Sequence, residues 1–186
     1  MQNSSTIKIE PHTHDVPRFR YLRAAEIDEL EELWRALHRH HVSVTTHLEN
    51  MIAPVDEMES WRRRRARYVE WLSAPGTMAI LAERDGEGVG YAMVTIRPEA
   101  NGSWRRGERV AVVQTLSVAP EHQNTGVGSA LLEEVRRQLA DEGITDVELA
   151  AVLGNSDAMR FYEQHGFQPL STTMVSRLSA MAGPGD

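Results

Sequence analysis

The stretch from Val110 to Gly128, VAVVQTLSVAPEHQNTGVG, constrains this chain more than any other. An apolar, β-branched run of strand character passes through a short polar loop into a strong helical pattern at Ser129 to Ala140. Glycines at 126 and 128 let the backbone turn tightly and approach a ligand. The helix start behind them supplies unpaired N–H donors and the positive end of a helix dipole, so a diphosphate could sit there with little side-chain help. The loop is not that of a magnesium-nucleotide hydrolase, because Gly126-Val127-Gly128 runs into Ser129 and Ala130 with no Gly-Lys-Ser/Thr to reach a terminal phosphate. Nor is it a dinucleotide fingerprint, since Leu131 falls where the third glycine belongs.

A second block narrows the ligand. Asp146 to Leu153 (DVELAAVL) reads as a short buried strand, followed by Asn155-Ser156-Asp157-Ala158-Met159-Arg160-Phe161-Tyr162-Glu163-Gln164-His165-Gly166-Phe167. The cradle and this block together resemble the GCN5-related N-acetyltransferase (GNAT) superfamily, in which Gln/Arg-x-x-Gly-x-Gly/Ala grips the pyrophosphate of acetyl-coenzyme A and a later Asn…Ala…Phe-Tyr-Glu…Gly-Phe helix borders the thioester. The resemblance implies an α/β fold with a mixed, splayed sheet flanked by helices, in the order β-α-α-β-β-β-α-β-α-β. It implies transfer of an acetyl group straight from acetyl-coenzyme A to a primary amine of a small molecule or peptide, without a metal; relatives are often dimers, which leaves a homodimer open, and the sequence itself does not give the oligomeric state. Carried over residue by residue, the cofactor contacts fall on Gln123, Asn124, Thr125, Gly126, Val127, Gly128 and Ser129 at the pyrophosphate, and on Leu116, Ser117 and Val118 along the pantetheine. Asn155, Ala158 and Phe161 complete them on the later helix. Two parallel strands are expected to splay between Thr115 to Val118 and Leu149 to Val152, leaving a slot for the pantetheine arm.

The chemistry then assigns roles. An amine attacking a thioester must lose a proton, the developing oxyanion needs a donor, and the departing thiolate must be protonated. The resemblance puts the oxyanion donor at the backbone N–H of Val118 and the general acid at Tyr162, whose phenol, with a pKa near about 10, can protonate a thiolate while staying neutral at pH 7. Read without the motif, Tyr162 is an aromatic packed beside Phe161, and Asn155 is a helix N-cap. Many relatives carry a glutamate four residues before the position of Val118; here it is Gln114, which can position a water or the substrate and cannot act as a base. Replacement bases are Glu108 and the histidines His38, His40, His41 and His47, or the enzyme draws its deprotonated amine from solvent. Gln114 also leaves room for a competing reading, a non-catalytic acyl-coenzyme A-binding sensor or interaction module of the same fold.

Composition bears on what remains. The 186 residues contain no cysteine, which excludes an acyl-cysteine intermediate and thiolate metal sites. A 41% hydrophobic content suffices for one compact α/β domain, expected over residues 18–178 between a flexible arm (1–17) and a frayed tail (179–186). The net charge of −7 argues against a nucleic-acid partner and is compatible with a cationic amine. Apolar runs too short for a bilayer and a polar start to the chain give a cytoplasmic protein with no membrane partner as the expectation.

Along the chain, Phe19 to Arg23 suits a first strand, and Ile27, Leu30, Leu33, Trp34 and Leu37 recur at helical spacing over Ala24 to His38. His38 to Met58 reads mostly as loop, with a second helix over Val55 to Leu72. Thr77 to Glu83 and Val89 to Arg97 are strands around a hairpin at Asp85-Gly86-Glu87-Gly88. After Phe167 only Ser171 to Leu178 has strand character, where many relatives have a two-strand hairpin. The run Arg62 to Arg65 with Arg67 reads as the wet side of a helix that buries Trp61, Tyr68, Trp71 and Leu72. His12-Thr13-His14 and His38-Arg39-His40-His41 lack the carboxylate spacing that would complete a metal site.

Overall fold

A computed structural model describes residues 16–99 and 103–177. Its sheet has five strands in sequential order, β1 (Arg18–Tyr21), β2 (Met78–Arg84), β3 (Glu87–Pro98), β4 (Arg109–Val118) and β5 (Asp146–Leu149). The first four are antiparallel neighbours; β5 alone runs parallel to its partner β4. A 3-10 turn at Ala24–Leu30 leads into α1 (Glu31–Val44), which is followed by α2 (Glu57–Leu72). Helix α3 (Val127–Asp141) connects β4 to β5, and α4 (Ser156–Gln164) follows β5. The strand Phe19 to Arg23 is thus shifted by a residue or two, and the expected arm is described only from Val16 on. His12-Thr13-His14 and the expected tail lie outside the described residues.

The middle strands are apolar on both sides because helices cover both faces. Ala79, Leu81, Tyr91 and Met93 meet α1 and α2 through Leu33, Trp34, Trp61 and Tyr68. The alternating residues Ile80, Ala82, Ala92, Val94, Ala111 and Val113 meet α3 through Val127, Leu131, Val135 and Leu139. The expectation that α2 buries its aromatic side holds for Trp61 and Tyr68, while Trp71 and Leu72 are partly covered.

Four boundaries depart from the sequence reading. Helix α1 runs on to Val44 instead of yielding to loop at His38, since no glycine or proline interrupts it between those residues; it ends where the Thr45 hydroxyl donates to the carbonyl of His41 at 2.8 Å. The hairpin turn is Asp85-Gly86 alone, both at positive φ (52° and 84°), and Glu87 and Gly88 already belong to β3. Strand β5 stops at Leu149, four residues short of the expected Leu153. Residues 171–177 form no strand, so the last β of the expected order is missing among the described residues. That segment is exposed throughout and covers no face, and β propensity without a surface to pack on does not make a strand.

Two features open the sheet where the sequence expected a slot. Between Met93 and Val94 the register with β4 slips, leaving Gln114 as the extra residue of a bulge. Strands β4 and β5 pair only from Val110↔Asp146 to Val113↔Leu149, so β4 from the bulge to Val118 has no neighbour on that side. The opposite end is pinned by charge. Arg106 binds both Asp146, at 3.3 Å, and Glu148, Arg97 holds Glu148 at 2.8 Å, and the Gly107 N–H donates to Asp146 at 3.0 Å.

Candidate active site

The open stretch of β4 presents a specific set of peptide groups. The Ala119 N–H donates to the Val89 carbonyl at 2.9 Å, and Val118 sits opposite Gly90. In an antiparallel ladder hydrogen-bonded pairs alternate with unbonded ones. Ser117 therefore spends its peptide groups on Tyr91, whereas Leu116 and Val118 turn theirs away from β3, toward the slot. The Ser117 side chain is buried and donates to the Leu33 carbonyl of α1 at 3.3 Å. Of the three pantetheine positions expected, Leu116 and Val118 face the opening and Ser117 does not.

The cradle follows directly. Asn124 and Gly126 lie in the left-handed region, with φ of 60° and 86°, and Gly126 caps α3. A Cβ built on Gly126 would meet nothing within 4 Å, so the space in front of the helix is clear and the glycine answers a backbone requirement. The first intrahelical bond runs from the Ala130 N–H to the Gly126 carbonyl at 3.0 Å, leaving the N–H groups of Val127, Gly128 and Ser129 free of helical partners. These donors, the dipole and the clear volume suit a diphosphate. Thr125 is held from two sides: its hydroxyl donates to the His122 carbonyl at 2.7 Å, and Arg84 at the end of β2 donates to its hydroxyl at 2.9 Å and its carbonyl at 3.1 Å. Gln123 turns back to donate to the Val118 carbonyl at 3.4 Å. Arg84 carries no signal in the sequence, because its partner lies 41 positions away.

Gly128 is where the separate motifs meet. A Cβ there would lie 3.3 Å from Cζ of Phe161 and 3.7 Å from Cγ2 of Val118, so the start of α3, the end of β4 and helix α4 pack at one point. A side chain at this position would press on Phe161. Ser129 joins the same junction: its hydroxyl bonds Nε2 of His165 at 3.0 Å, while Nδ1 of that ring bonds the Phe161 carbonyl at 2.7 Å. His165, unassigned in the sequence reading, thereby fastens α4 onto α3. Asn155 caps α4, its side chain accepting from the Ala158 N–H at 3.1 Å.

Tyr162 lies on α4 between Phe161 and Phe167, with ring centroids 5.3 and 5.8 Å away. Its hydroxyl has no hydrogen-bond partner among the described residues, and burial pushes its pKa up to about 12. A phenol held neutral and unpartnered is a proton donor without a competing acceptor. Gln114 donates to the Thr95 hydroxyl at 2.8 Å across the bulge, which fixes its amide beside the opening. Glu108 precedes β4 at the pinned end, about 30 Å from Val118 at the rise of an extended strand, and that distance removes it as a base.

The histidines separate likewise. His38 bonds the Val55 carbonyl at 2.9 Å, and His40 and His47 are exposed. His41 is half-buried, and burial, then His40, His38 and Arg64, hold its pKa below the usual 6.5. Helix α1 itself crosses the opening: Leu33 touches Ser117 of β4, and Val44 lies against the loop after β5, where a Cβ on Gly154 would fall 2.1 Å from the Val44 carbonyl oxygen. Among the described residues no group of three or more His, Asp or Glu is arranged to hold a metal ion, and no helix is long and apolar enough to cross a membrane.

Comparison with known proteins agrees with this arrangement. The model of the acetyltransferase (GNAT) family matches residues 27–167. The chain is 33% identical over 115 residues to an uncharacterised N-acetyltransferase of Mycobacterium tuberculosis, covering 62% of this chain and 67% of that one. It is 28% identical to the mycothiol acetyltransferase of Thermobispora bispora over 88% of its own length, and spans 51% of that longer protein. Among solved structures, an aminoglycoside N-acetyltransferase in complex with coenzyme A superposes with a TM-score of 0.61 at 16% identity, covering 88% of this chain and all of the other.

Proposed function

From the premise that the chain belongs to the acetyltransferase (GNAT) family, we propose that it is an acetyl-coenzyme A-dependent N-acetyltransferase that acetylates the primary amine of a small molecule or peptide. The observation that carries this reading is the junction at Gly128, where cradle, open strand and tyrosine-bearing helix converge. Bound acetyl-coenzyme A would supply an activated acetyl group as a thioester. The N–H groups of Val127, Gly128 and Ser129 hold the diphosphate, and the peptide groups of Leu116 with the carbonyl of Val118 take the pantetheine amides as a missing strand would. Asn155, Ala158 and Phe161 line the α4 side.

The amine nitrogen attacks the acetyl carbon, the carbon–sulfur bond breaks, and two protons move. The Val118 N–H donates to the oxyanion as it develops. Tyr162 gives its proton to the leaving sulfur and regains one from water. The amine proton passes to His41, which is neutral at pH 7, through a water held by Gln114. Direct attack agrees with a chain that has no cysteine to carry the acyl group.

A calorimetric titration with coenzyme A, followed by thiol release against a panel of amines, tests the reading. Tyr162→Phe should lower kcat by about 10²- to 10³-fold with the cofactor Kd unchanged. Cofactor binding with no thiol release from any amine would replace the enzyme with a non-catalytic acyl-coenzyme A module, which Gln114 in place of an acid favours.

A further inference from the structure

Helix α2 carries five arginines within six positions, and four of them are spoken for. Arg62 and Arg63 share Glu59 at 2.6 Å each, Arg65 reaches Asp28 at 2.5 Å, and Arg67 reaches Glu70 at 2.9 Å. Arg64 has no carboxylate within ion-pairing distance among the described residues, although the chain has 27 acidic residues against 20 basic ones. Aromatic rings hold it instead: its guanidinium carbon lies 4.1 Å from the ring centre of Trp34, 5.6 Å from Tyr68 and 6.0 Å from Trp71. A groove of about 450 Å³ opens over it, bordered by Trp34, Val55, Arg67 and Trp71. The Ser60 hydroxyl, also in its wall, is taken by the Trp34 indole N–H at 3.0 Å. The charge in the groove that no protein group answers is the guanidinium of Arg64.

We propose that this groove binds the carboxylate of the acceptor, so that the substrate is an amine that also carries an acid group. The proposal rests on the acetyltransferase reading given above. A guanidinium seated over an indole has a planar fork of N–H donors to offer, the geometry that pairs with a carboxylate through two parallel hydrogen bonds. One free fork among neutralised neighbours fits a single monoanionic group. It does not fit a polyanion, which needs a row of open cations. The groove also lies toward the chemistry. Tyr68, a wall of the cage, bonds through its hydroxyl to Thr115 at 2.6 Å, and Thr115 adjoins Gln114 on the open part of β4. His41 follows Trp34 by two turns along the same side of α1, close enough for Arg64 to bear on its protonation.

The test titrates the full chain with the proteinogenic amino acids, their primary amides and amine-free analogues such as 3-phenylpropionate. It reads tryptophan fluorescence for binding and thiol release from acetyl-coenzyme A for turnover. At least one amino acid should bind 10- to 100-fold more tightly than its amide. Measured at pH 8, where His41 is neutral with or without the Arg64 charge, Arg64→Gln should erase that preference by raising KM for the acid with kcat and the amide little changed. Arg64→Lys, which keeps the charge and loses the fork, should restore only part of it. Melting curves establish that the variants fold. Equal affinity for acids and amides in the unaltered protein, or an acid preference that survives Arg64→Gln, would overturn the proposal. So would inhibition by amine-free acids that is non-competitive with the acceptor, since it would mean a separate carboxylate. Acid-selective binding that depends on Arg64 but comes without thiol release would uphold the carboxylate site and refute the transferase reading.

Discussion

Tyr162 and His41 have their proton affinities moved in opposite directions, and the pH dependence of turnover should carry both marks. Burial raises the tyrosine to about 12 and lowers the histidine below 6.5. In the proposed mechanism the working forms are the protonated phenol and the neutral imidazole. At saturating acceptor, kcat should fall as the pH drops through a value under 6.5, and the alkaline side should stay flat to about pH 11. His41→Ala should remove the acid limb. A limb that persists unchanged in that variant assigns it to the amine itself and takes His41 out of the mechanism. Tyr162 illustrates how far a sequence reaches at this scale. Its membership of the Phe-Tyr-Glu block was legible, but its lack of any hydrogen-bond partner follows from where α4 lies against the rest of the fold.

At the scale of elements, glycines with different reasons for being glycine should respond differently to substitution. Gly126 needs φ of 86° and has clear space in front of it, so Gly126→Ala should cost about 1 kcal/mol of stability from the backbone alone and place a methyl group where the diphosphate goes. Gly128→Val pushes against Phe161 at 3.3 Å, so it should move α4, lowering kcat as well as cofactor affinity. Gly154→Ala must displace the Val44 carbonyl, at a cost of about 1–3 kcal/mol, with its kinetic effect on acceptor KM rather than on the cofactor. Arg84→Ala should loosen the loop through Thr125 and weaken coenzyme A binding about tenfold with the melting temperature nearly unchanged; calorimetry and thermal melts separate these cases. The loop, α3 and the hairpin were readable because each is specified by neighbours in sequence, through turn residues and periodicity. The length of α1, the early end of β5 and the loss of the expected strand at Ser171 to Leu178 were not. Each depends on whether a distant surface is there to pack against, as Val44 has in Gly154 and residues 171–177 lack.

Taken as a whole, the molecule is covered in arginine–carboxylate pairs, which gives its stability a defined pH window. Arg137 holds Glu134 down to about 2, Arg23 does the same for Glu26, and Arg62 and Arg63 for Glu59, against about 4.5 when unfolded. Groups with depressed values stabilise the fold fully above the unfolded value and cease to as the pH falls through the folded one. Burial raises Tyr21 and Tyr162 to about 12 from 10, with the opposite consequence. With His41 held below 6.5 as well, melting temperature should therefore be level from about pH 7 to 10 and decline outside that range. Added salt should flatten the acid edge, because these pairs are largely at the surface. The cluster of Arg97, Arg106, Asp146 and Glu148 is a different case, being partly buried and placed at one end of the parallel β4–β5 pair. Beyond the four residues it pairs with β5, β4 stays bonded to β3 along one edge and is unpaired along the other, like a seam stitched on one side only. The width of the mouth is then set by where β5 leaves the sheet, a point anchored by charges at the far end of the strand pair.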